Sequence, residues 1–126
     1  MKIEVRDGAK VLGQLDFCSS YGKADAKIVT DSRERAYLAL EYGDGHGPNA
    51  VTTYLSVYDV GSDLIELIRI PTSWPVGPTQ RFYYSYEFKA EPAGLQIELI
   101  GADVAGAECC VPEDKIRTIE LDDPKH

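Results

Sequence analysis

The segment from Gln80 to Lys89, QRFYYSYEFK, constrains the fold most: Phe82, Tyr84, Tyr86 and Phe88 fall on one parity, with Arg81, Ser85, Glu87 and Lys89 on the other. Successive side chains of a strand point to opposite faces, so a period of two offers an aromatic wall to a core and a mostly polar face to water. The pattern points to a domain built from antiparallel sheets.

Other segments repeat that signature. Lys2 to Arg6 alternates around Ile3 and Val5, Asp7-Gly8 is a favoured hairpin turn pair, and Val11, Leu12 and Leu15 to Phe17 resume the extended pattern. CSSYGKADA at 18–26 reads as a loop, with a short extended piece from Ile28 to Thr30. In ERAYLALEY at 34–42, helix propensity competes with alternation of Ala36, Leu38, Leu40 and Tyr42 against Tyr37, Ala39 and Glu41, and the alternation favours a strand. VTTYLSVYDV at 51–60 is a strand with Val51, Thr53, Leu55 and Val57 on its core side. Asp63 to Ile70 fits both a capping box and a strand, and is read as the second arm of a tight hairpin. PTSWPVGPT at 71–79 holds three prolines and is expected to be a stiff loop; AEPAG at 90–94 is a turn. Leu95, Ile97 and Leu99 mark another strand, and KIRTIEL at 115–121 the last.

About eight hairpin-connected strands with little helix predict an all-β fold, a single-domain antiparallel β-sandwich over residues 1–126, with a small closed β-barrel as the alternative. Loops of very unequal length favour the sandwich. At 126 residues the chain is of a size that makes one domain.

Charge narrows the partners. Thirteen Lys and Arg against 21 Asp and Glu leave a formal charge of −8, which disfavours binding to nucleic acid. Between Lys89 and Lys115 there is no basic residue, while Glu91, Glu98, Asp103, Glu108, Glu113 and Asp114 all lie in that interval. It reads either as a solubilising surface or as an acidic surface that steers a basic partner. The longest apolar-rich run, LIELIRI at 64–70, is too short and too charged to span a bilayer, so no membrane role is expected. MKIEVRDGAKV lacks the apolar core of a signal peptide: cytoplasmic residence is expected if Met1 is the native start, periplasmic or secreted residence if a leader was removed. Cys18, Cys109 and Cys110 cannot all pair within one molecule, and adjacent cysteines close only a small strained ring. Cys109 and Cys110 are therefore expected as a buried or half-buried pair of thiols, with redox sensing or soft-metal capture as the rarer outcome.

The motifs of catalysis are weak. GDGHGPNA at 43–50 places Pro48 where a phosphate loop needs its final glycine, and a strand follows in place of a helix. His46 and Asp44 lie in that loop, the one other histidine is His126, and there is no nucleophile elbow. Glu41 with Asp44, and Asp59 with Asp63, could contribute oxygens to calcium, but without EF-hand spacing. No cofactor and no metal are expected, and no catalytic residue is assigned.

Eight tyrosines, three phenylalanines and one tryptophan form the more informative set. Tyr54, Tyr58 and Tyr83 fall on the parity assigned away from the core, and Trp74 lies in the proline-rich segment. Exposed Tyr and Trp supply contact area at small entropic cost. The expectation is a non-catalytic protein-binding module that captures a basic protein through Trp74, Tyr83, Tyr54, Tyr58, Glu91, Glu98 and Asp103. In general character, though with no matching motif, it resembles small inhibitor and immunity-type proteins. The alternative is a carbohydrate- or small-ligand-binding β domain, and a homodimer stays open.

Overall fold

The computed structural model describes residues 2–7, 10–16, 24–44, 51–60, 64–91 and 94–121, and in the first two strands the side chains of Glu4 and Val11 only. The described residues form nine strands, against about eight expected: β1 (Lys2–Asp7), β2 (Lys10–Asp16), β3 (Ala24–Thr30), β4 (Ala36–Asp44), β5 (Thr52–Asp59), β6 (Ile65–Pro75), β7 (Arg81–Glu91), β8 (Gly94–Gly101) and β9 (Ile116–Leu121). No α-helix occurs among the described residues, so none there is long and apolar enough to cross a membrane.

β1 and β2 form a two-stranded antiparallel sheet, and β3 to β9 pair in chain order as one seven-stranded antiparallel sheet. Several expected boundaries move: Glu34 and Arg35 precede β4, Gly43 and Asp44, expected in a loop, end it, and Ala90, Glu91 and Gly94, expected in a turn, lie in β7 and β8. Asp7 pairs with Lys10 and so belongs to the strand, not to the turn; Gly8 lies outside the described residues. Ala24 to Ala26, expected in a loop, pair with Tyr42 to Leu40 because β4 extends far enough to offer them partners.

The centre of the sheet is covered on both faces. Along β4, Tyr37, Leu38, Ala39 and Leu40 are all buried. Tyr37 and Ala39 join Leu55 and Val57 of β5 in the main cluster, whereas Leu38, Leu40 and Tyr42 join Tyr58, Val60 and Leu64 in a second one. A strand apolar on both parities is what such two-sided burial requires, and it overrides the helix propensity of ERAYLALEY.

β6 and β7 bend the sheet. β6 pairs with β5 from Ile65 to Ser73 and then with β7 from Ser73 to Pro75; β7 pairs with β6 over Arg81 to Tyr83 and with β8 from Tyr84 onward. The main cluster therefore draws on both halves: Tyr37, Leu55, Val57 and Ile70 from one side, Phe82, Tyr84, Leu95, Ile97, Leu99 and Leu121 from the other. Contacts bridge the fold, with the Tyr86 hydroxyl donating to Glu41 at 2.6 Å, Lys27 Nζ 5.1 Å from the Phe88 ring centre, and Ser32 Oγ donating to the Glu91 carbonyl at 2.8 Å. Phe82, Tyr84, Tyr86 and Phe88 all face this core, as their parity predicts.

The segment 71–79 is not a loop throughout. Pro71 to Pro75 continue β6, because the register shifts between Thr53 and Tyr54 and puts Pro71 at a bulge. Proline lacks the N–H that a regular ladder needs, and a bulge relaxes that demand. Val76 to Gln80 make the turn, closed by Val76 N–H donating to the Gln80 carbonyl at 3.0 Å.

Candidate functional site

Between β8 and β9 the chain leaves the sheet at Gly101 and returns at Lys115, whose carbonyl accepts from the Gly101 N–H at 2.7 Å. Residues 102–114 form a compact surface excursion with adjoining ends, the geometry of an Ω-loop. It carries Asp103, Glu108, Glu113 and Asp114, all exposed. Its backbone is held by donors from the bend of the sheet. Trp74 Nε1 donates to the Cys110 carbonyl at 2.7 Å, Gln80 Nε2 to the Ala105 carbonyl at 2.5 Å, and the Tyr84 hydroxyl to the Asp114 carbonyl at 3.2 Å. The Val76 carbonyl accepts from the N–H groups of both Glu108 and Cys109. An ion pair from Lys115 to Asp103 clasps the base. The acidic loop is thus pinned, its carbonyls satisfied by Gln80 and by Trp74 and Tyr84, which also pack into the core.

Beside this loop lies the outward face of β7, β8 and β9. Tyr83 is 61% exposed, Ile100 49% and Ile116 74%. Ile100 pairs with Ile116 on one side and Ser85 on the other, and Tyr83 sits two residues before Ser85 on the same face. One rung further, Glu87 lies opposite Glu98, followed by Lys89, Gln96 and Glu120. Lys89 Nζ reaches Glu98 at 2.9 Å; that hydrogen bond and the carboxylate's charge hold the ammonium above its usual range. The surface therefore grades from an apolar corner to a carboxylate-rich field.

Of the residues picked from sequence, Trp74, Tyr83, Glu98 and Asp103 come together around this loop and face. Trp74, however, does not project from a loop: it sits on β6, half-buried, with its ring centre 5.0 Å from Phe82 and 5.9 Å from Tyr84. Glu91 is at the far end of β7, opposite Gly94. Tyr54 is half-buried and stacks on Tyr42 at 5.9 Å. Tyr58 is not exposed: only 4% of it is accessible, because the second cluster covers the face that its parity assigned to solvent, and this burial pushes its phenol upward in pKa. Asp44 is exposed at the end of β4, opposite Thr52. His46, Asp63, Cys18 and His126 lie outside the described residues.

Two further expectations change. Asp59, considered for calcium, is buried and paired with Arg35 at 2.5 Å. Among the described residues no three His, Cys, Asp or Glu side chains converge as metal ligands. Cys109 and Cys110, expected as a buried or half-buried pair of thiols, are joined by a disulfide and are exposed, with Cys110 at a φ of 69°.

Sequence reasoning missed Ile100 and Ile116. Both stand on the parity opposite to the core-facing set of their strands, Leu95, Ile97 and Leu99 in β8 and Ile119 and Leu121 in β9, and that was the available signal. It also missed a cleft of about 550 Å³ at the bend, lined by Glu41, Val51, Thr53, Ser73, Arg81 and Tyr83 among others. There Arg81 donates through Nε to Ser73 Oγ at 3.1 Å and through its terminal nitrogen to the Val51 carbonyl, while Glu41 accepts from Tyr86. Burial, with Glu41 second, drives the Tyr86 phenol far above its ordinary pKa, so it remains a donor. Compared with known proteins, the chain matches no family model, no curated protein and no solved structure.

Proposed function

We propose that this chain is a non-catalytic protein-binding domain that captures a basic protein on the outward face of β7, β8 and β9. In this reading the bent sheet serves as a β-sandwich, one layer of which presents Tyr83, Ile100 and Ile116 as the apolar anchor. The observation that carries it is their adjacency, each about half or more exposed, beside a pinned loop bearing four carboxylates. Apolar anchors give affinity when desolvated at the centre of an interface, and a one-signed rim steers the encounter. Glu87, Glu98 and Glu120 extend that rim along the sheet and favour a cationic partner. Trp74 serves the interface indirectly, by holding the loop.

Site-specific photo-crosslinking tests this. Benzoylphenylalanine at Tyr83 should capture one basic protein in cells, and Glu98→Lys with Asp103→Lys should abolish the product. Equal capture from the exposed control position Arg33, or a product insensitive to the charge reversal, would refute it.

The cleft at the bend supports a second reading, a small polar ligand held between Glu41, Arg81 and the hydroxyls of Thr53 and Ser73. Its volume suits such a ligand. Arg81 is already engaged with Ser73 and the Val51 carbonyl, and Glu41 with Tyr86, and among the described residues no buried side-chain nitrogen or oxygen lacks a partner, so the exposed face ranks above it.

A further inference from the structure

We propose that Cys109 and Cys110 form a reversible thiol–disulfide site, reduced by dithiols, whose state is transmitted to Trp74. The proposal is independent of what the protein binds. Three observations support it.

The first is accessibility. Both cysteines are exposed on the loop, so an attacking thiolate can reach either sulfur. The second is the span of the bridge. Its two cysteines are consecutive in the chain, so the bridge closes only a small ring that ties the Cys109–Cys110 backbone into one arrangement. The third is connection to the core. Cys110 is held at φ of 69°, a region that costs a residue with a Cβ of order 1–3 kcal/mol, and its carbonyl is the acceptor for Trp74 Nε1. Cys109 in turn donates its N–H to the Val76 carbonyl.

Reduction proceeds by exchange. A thiolate of the dithiol attacks one sulfur, the Sγ–Sγ bond breaks, and the departing cysteine thiolate takes up a proton. The second thiol of the reductant then attacks the mixed disulfide, releasing the other cysteine as a thiol and closing the reductant's own disulfide. Two electrons and two protons pass to the pair, and the reductant is oxidised. Opening the ring removes the covalent constraint on Cys110, which relaxes toward negative φ, and its carbonyl leaves the indole N–H. The acidic loop thereby loses one of its ties to the sheet.

The single tryptophan makes the event readable. The full chain, equilibrated with oxidised glutathione, is alkylated with iodoacetamide and digested at acid pH. The expected product is a peptide with Cys109 and Cys110 linked to each other, and an alkylated Cys18. Dithiothreitol should then expose two more alkylatable thiols, with a change in Trp74 emission that follows their appearance. The variant Cys109→Ser with Cys110→Ser, checked for native circular dichroism, should show no dithiothreitol-dependent emission change. Recovery of all three cysteines as thiols after oxidation, or a linkage from Cys18 to either partner, would overturn the site. Thiol release with unchanged emission, or an emission change that persists in the serine variant, would overturn the coupling to Trp74.

Discussion

Replacement of Trp74 by alanine separates a core role from a surface role. The ring packs against Phe82 and Tyr84 and belongs to the half-buried shell of the main cluster. Deleting a fully buried Trp or Phe side chain costs about 3–5 kcal/mol. Trp74 keeps part of its surface in water, which lowers that figure, while two aromatic contacts of about 0.5–1.5 kcal/mol each raise it again. The indole hydrogen bond to the Cys110 carbonyl contributes about 0.5–1.5 kcal/mol more, overlapping with the packing it depends on. The expected loss is about 2–4 kcal/mol, a fall in Tm of roughly 8–15 °C for a chain of this length. Urea unfolding followed by far-UV circular dichroism measures it, because the substitution removes the one tryptophan that fluorescence would report. Trp74→Phe keeps a ring but no N–H, and should lose only about 1 kcal/mol. If Trp74→Ala stayed within about 0.5 kcal/mol of the parent, the level of an ordinary surface substitution, the packing argument would fail and a role as an exposed anchor would return.

Gly101→Ala should destabilise by about 1–3 kcal/mol through overpacking, since an added Cβ would fall on the Phe82 ring, which is fully buried and has no room to retreat. Chemical denaturation would show it, with partial recovery on combination with Phe82→Leu; an unperturbed Gly101→Ala midpoint would contradict the packing described at the bend. Asp31 contributes to the acid side of the stability profile. Burial raises its pKa, but N–H donation from Arg35 at 3.0 Å and Arg33 at 2.9 Å, with the Tyr37 hydroxyl, more than offsets this and the net shift is downward. A depressed folded value means stability that is fully present above the unfolded value of about 3.9 and is lost as pH falls through the folded one. Asp31→Asn should therefore be less stable than the parent at neutral pH, with the gap closing below pH of about 4; a gap constant down to pH of about 3 would remove the carboxylate from this role.

Strand identity was legible because burial on one face leaves a period of two in the sequence. QRFYYSYEFK and the Leu95, Ile97, Leu99 set were read with the right faces. Where burial occurs on both faces the period vanishes, and this is why Tyr58 was assigned to solvent and is buried. Prolines misled in a related way: Pro71 breaks a regular ladder but not a bulge, so a segment expected to be a loop carries Trp74 into the sheet.

Sequence by itself determined that this chain is all-β, which face is apolar in strands buried on one side, and where its carboxylates concentrate, because these follow from residue order along a single strand. The tertiary structure alone decided which strands change partners at the bend, that Ile100 and Ile116 become neighbours with Tyr83 close by, and that the acidic loop is pinned by Trp74, Gln80 and Tyr84. Those relations join residues distant along the chain, and register and the curvature of the sheet fix them. No local pattern records either.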